Sequence, residues 1–130
     1  MARVLGDPAV IGLLREMFAT PDAQSDAHAW AAVLLAHAAL GAVMVALAAC
    51  LPLLRRSPVL AVSLLYGLLW EGGQLMLAGG GPADGLLDWA AVTLGVLAGR
   101  AAWDRQGRRL AAALATVAAV LWAGVSGRRR

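Results

Sequence analysis

The fold class this sequence predicts is all-α: four transmembrane helices in an up-down bundle, preceded by an N-terminal amphipathic interfacial helix. Three observations carry that expectation. Apolar residues make up 61% of the 130 residues and charged ones 15%, more apolar surface than one domain of this size can hide in its own interior. They fall in four runs of about twenty residues, the length that crosses a hydrocarbon core about 30 Å thick. The runs are parted by helix-stopping punctuation at Leu51-Pro52, Ser57-Pro58, Gly79-Gly80-Gly81-Pro82 and Gln106-Gly107.

Residues 1–27 form an arm. Asp7 and Pro8 read as N-cap and first helical residue. Val10, Ile11, Leu13, Leu14, Met17 and Phe18 then build an apolar face opposed by Arg15 and Glu16. About three turns of helix lying in the membrane interface are expected, with packing against a partner subunit as the other option. Thr20, Pro21 and Asp22 end it, and Ser25 or Asp26 caps the first span. The bundle occupies 28–127. Its first span runs from His28 to Leu51, with His37 inside it; the second, opened by Ser57-Pro58, runs from Val59 to Ala78. The third is expected from Leu86 to Gln106 with Gly107 as a left-handed stop. The fourth runs from Arg108 to Ser126, before a basic tail at 128–130.

The charge pattern gives topology rather than a nucleic-acid partner. Every basic residue is Arg, and the net charge of +3 comes largely from clusters at segment ends. No aromatic-interleaved basic groove of the kind that binds single strands is present. Arg55, Arg56, Arg105, Arg108 and Arg109 share one side, with Arg100 near it, which places both termini outside the cytoplasm. The tail Arg128 to Arg130 opposes that assignment. Trp30, Trp89 and Trp122 are expected at the outer interface and Trp103 at the inner. Cys50 is the only cysteine, so no internal disulfide or Cys-rich metal site exists, and helix packing is its expected role.

Polar groups inside the apolar runs single out Gly67 to Gly99. On the second span Gly67, Glu71, Gln74 and Ala78 share a helical face; on the third, Asp84, Asp88, Val92, Gly95 and Gly99 do the same. A charged residue at the centre of a membrane helix costs roughly 2.5–3.5 kcal/mol on insertion scales, so such groups turn inward and find partners. Gly67, Gly95 and Gly99 are small enough to let the two helices close. Counted from the outer helix ends at about 1.5 Å per residue, Asp88 lies about 3 Å deep, Gln74 about 6 Å, Glu71 about 10 Å and His37 roughly 12 Å. Gln74 is therefore the expected partner of Asp88, and His37 of Glu71, with Tyr66 or Thr93 the alternatives for Glu71.

Two readings of Glu71, Gln74, Asp88 and His37 stay open. They form a ligand site on the outer half, or a hydrogen-bonded clasp that fixes helix register. No catalytic constellation accompanies them: no nucleophile motif, no phosphate-binding loop and no HExxH-type metal spacing. No cofactor is expected. The single alternative is a tetrapyrrole at His37, whose neighbours Ala36 and Ala38 leave room for a macrocycle.

Across about 35 residues the chain resembles the VanZ-like family of small polytopic membrane proteins. The resemblance rests on Glu71-x-x-Gln74, a turn, then Asp88-x-x-x-Val92-x-x-Gly95-x-x-x-Gly99. The family pattern has Asn where Val92 stands and Arg in a turn that here holds Gly and Pro. The resemblance implies a cell-envelope setting, hence a bacterial cytoplasmic membrane, and no defined reaction. The missing Asn and Arg, the small-residue faces and the arm lead to the expectation of a non-enzymatic accessory subunit. It would sit in the lipid bilayer against a larger membrane complex, respiratory or photosynthetic. The alternative is a stand-alone VanZ-like protein binding a lipid or amphiphile through Glu71, Gln74 and Asp88.

Overall fold

The computed structural model describes residues 26–78 and 81–129, all of it helix and short turns. The expected interfacial helix at residues 8–18 lies outside the described residues. Four helices are long and apolar enough to cross a membrane: α1 (Ala27–Cys50), α2 (Pro58–Leu77), α3 (Pro82–Trp103) and α4 (Gly107–Arg128). At about 1.5 Å per residue, the 20 to 24 residues of each give 30–36 Å, enough to cross the apolar core. This is an integral membrane protein by length and composition.

Each terminus has a local chemical cause. The Asp26 carboxylate accepts from the backbone N–H of His28 and Ala29, both at 2.7 Å, and so fixes the start of α1. Pro58 and Pro82 open α2 and α3, where a missing N–H costs nothing. Pro82 and Asp84, in the first turn, start α3 a full turn before the Leu86 expected from the apolar run. That helix also stops earlier than expected, at Trp103. Arg105 rather than Gly107 takes the left-handed conformation, with φ 56°. Gln106 N–H reaches Ala101 O at 2.8 Å and Arg105 N–H reaches Ala102 O at 3.1 Å, the paired closure of a Schellman turn. Gly107 is thereby released to begin α4.

α2 departs from regular α geometry. After Pro58–Leu65 it widens into π-helical turns at Tyr66–Glu71 and Gln74–Ala78. A widened turn disturbs the regular carbonyl ladder. At the junction the Ser63 carbonyl accepts both the Tyr66 N–H and, across the helix pair, the Trp89 indole N–H at 2.9 Å.

Contacts fix an antiparallel succession. His37 meets Tyr66 across α1 and α2, Gly67 meets Trp89 across α2 and α3, and Trp30 meets Gly124 across α1 and α4. α1 and α3 run parallel and make the most extensive contact. There the backbones touch: a Cβ on Gly41 would strike the Val92 carbonyl, and one on Gly95 the Ala38 carbonyl. Gly99 seats on Ala42 and Val45. Gly95 and Gly99, expected to draw α2 against α3, therefore seat α1 instead.

α2 packs on one side of this central pair through Val45, Ala48, Val62, Tyr66, Val92 and Val96. α4 packs on the other, where Val120, Leu121 and Val125 cover Trp30, Leu34 and Ala91. α2 and α4 do not pack against each other. The section is a diamond rather than a square.

The tryptophans divide differently from the expectation of four interfacial anchors. Trp103 and Trp122 face outward, whereas Trp30 is buried and Trp89 half-buried. The Arg128 guanidinium lies 4.2 Å from the Trp30 ring centroid, a cation–π contact that ties the start of the basic tail to the bundle. Cys50, expected to pack, is exposed at the end of α1.

Candidate functional site

The antiparallel α2–α3 pair brings the embedded polar residues together at the end nearest Gly81. There the helices part around a groove of about 400 Å³, walled mainly by leucines and by Gly67, Gly85 and Trp89. Glu71 and Gln74 line it; Asp88 and His37 lie behind it, between α1 and α3.

Glu71 is the unusual member. Its carboxylate lies on the backbone of Gly85, where a Cβ would sit 2.8 Å from Oε2. Both carboxylate oxygens are buried without a hydrogen bond to any described residue. The Tyr66 hydroxyl, equally buried, interacts with that carboxylate, though outside regular hydrogen-bond geometry. Left unmatched in an apolar medium, such groups carry a desolvation cost that a ligand donor would offset.

His37 faces the interior, its ring edge-on to Tyr66 with centroids 6.2 Å apart. Nδ1 lies 2.8 Å from the Val33 carbonyl oxygen and 3.7 Å from Asp88 Oδ1. Both neighbours are acceptors, so Nδ1 carries the proton and donates to Val33. The nearest carboxylate to His37 is therefore Asp88, not the Glu71 expected from depth. The early start of α3 is the reason, since four added residues sink Asp88 by about 6 Å. The same shift takes Asp88 away from Gln74, and no hydrogen bond joins them. Gln74 is buried in the groove wall instead.

Gly85 was not among the residues singled out from sequence, though it decides where the Glu71 carboxylate rests. Its signal was available: it stands between Asp84 and Asp88, one turn into a helix that Pro82 starts. Among the described residues, no three His, Cys, Asp or Glu side chains converge closely enough to hold a metal ion. Comparison with protein-family models, with curated proteins and with solved structures found no match.

Proposed function

We propose that this protein binds an amphiphile whose polar head enters the α2–α3 groove, with Glu71 as the acceptor for an amine or ammonium group. The observation that carries this reading is the Glu71 carboxylate, buried in an apolar groove with a neutral Tyr66 hydroxyl beside it, no cation and no hydrogen bond of regular geometry among the described residues. A cationic donor relieves its desolvation, and a charge-assisted hydrogen bond is the strongest that a neutral wall permits. Gln74 supplies the second polar contact, while Leu64, Leu68, Leu75 and Leu86 accept the chain. The His37–Asp88 contact keeps the floor of the site in place and leaves Glu71 to the ligand. No bond is made or broken in this proposal; the role is binding. The resemblance of the Gly67–Gly99 hairpin to the VanZ-like family supports the same setting, a bacterial cytoplasmic membrane.

Dodecylamine and dodecanol are suitable probes, read by the fluorescence of Trp89 in the groove wall with the remaining tryptophans as background. The amine should bind more tightly than the alcohol. Glu71→Gln should weaken amine binding by at least about tenfold, the low end for a hydrogen bond to a charged group. Equal binding of the amine by both proteins would overturn the reading.

A second reading, an accessory subunit of a larger membrane complex, draws on α4. Its outer face exposes Ala111, Ala112, Ala115, Ala118 and Ala119, small residues that permit close helix–helix approach. Copurification from native membranes in mild detergent separates the two. A stoichiometric protein partner supports the subunit; a monomer or homodimer carrying lipid supports the binding protein.

A further inference from the structure

We propose a second lipid site at the opposite end of the molecule, specific for a phospholipid with an anionic headgroup. A groove of about 390 Å³ lies between α3 and α4, reached on one edge by Val59 of α2. Away from the helix ends it is apolar, walled by Leu94, Leu97 and Ala113 with Ala112 at its exposed edge. The Thr116 hydroxyl there is already bonded back to the Ala112 carbonyl at 2.9 Å. Its mouth is polar: Arg100, Asp104, Gln106 and Arg109.

Charge decides the occupant. Asp104 is neutralised within its own helix, because Arg100 Nε stands 2.7 Å from Asp104 Oδ2. Arg109 has no acidic partner among the described residues, so the mouth presents one uncompensated guanidinium. The turns at this end of the bundle also carry Arg55, Arg56, Arg105 and Arg108, off the groove, and Asp104 is the one acidic residue among them. The seven helical steps from Arg109 to Thr116 give about 10 Å of wall below the headgroup level. A phosphate at Arg109 and the upper part of one acyl chain along the leucines match that layout. Basic pockets between membrane helices take anionic headgroups in this way. A zwitterionic lipid would bring a cation beside the same arginines and lose the advantage.

The test uses the full chain in maltoside detergent, titrated with dioleoylphosphatidylglycerol or dioleoylphosphatidylcholine and followed as lipid adducts by native mass spectrometry. The wild-type protein should bind the glycerol lipid about fivefold more tightly, the effect of one arginine near an anionic headgroup. Arg109→Gln should abolish the preference, and Arg56→Gln, at the same end but off the groove, should keep it. Ala112→Phe fills the wall at an exposed position and should lower occupancy by both lipids. If that variant does not fold, by its helical circular dichroism, the two arginine variants decide alone. Equal wild-type affinity for both lipids overturns the site. So does an Arg56→Gln loss as large as that of Arg109→Gln, which would mean diffuse attraction to the charged end.

Discussion

Asp26 and Arg105 show how single residues set the ends of membrane helices. The backbone N–H groups of Ala29 and His28 hold the Asp26 carboxyl below its ordinary range. The charged form is thus favoured by folding. Its contribution is full above the ordinary carboxylate pKa of about 3.9 and fades as pH falls through the lowered value. Asp26→Ala should lower the thermal midpoint at pH 7, and the gap to wild type should close below about pH 4. A gap that stays constant to pH 2 would show that the charge contributes nothing. Arg105 sits at φ 56° with a side chain that left-handed backbone disfavours, a cost of roughly 1–2 kcal/mol. Arg105→Gly removes that cost and adds about 0.5–1 kcal/mol of backbone entropy. Stability to detergent-induced unfolding should therefore rise by up to about 1.5 kcal/mol, while Arg105→Val should lower it.

At the scale of elements, the existence of all four helices was legible because apolar length is a strong signal. Their pairing was less so. Helical periodicity places Gly67, Glu71, Gln74 and Ala78 on one face only if the helix is regular, and nothing in the apolar run announces the π turns of α2. The start of α3 was legible in Pro82 and Asp84, but the apolar run argued for Leu86, and that one-turn error misassigned the partner of His37. Gly41 stood in an alanine-rich run and looked like one more small residue, yet it makes one of the two closest backbone contacts between α1 and α3. Gly95→Ala should force the two backbones apart at a cost of about 1–3 kcal/mol, the usual scale of overpacking. Gly107→Ala, with open space around its Cβ position, should change little. If the two substitutions cost the same, measured by the unfolding midpoint in detergent, the close crossing would lose its support.

For the whole molecule, the backbone-to-backbone crossing of α1 and α3 has a mechanical consequence. Where Gly41 and Gly95 bring the two backbones together no side chain is interposed, so the central pair has little there to compress and acts as a stiff mast. The two grooves hang from opposite flanks of that mast, one near each of its ends. A strain introduced at one groove has no adaptable layer through which to reach the other. Glu71→Gln and Arg109→Gln should then act independently. The double variant should lose amine binding and anionic-lipid preference by the product of the single effects, within about 0.5 kcal/mol of additivity. A larger coupling would mean that the mast bends, and that a lipid held in one groove is sensed in the other.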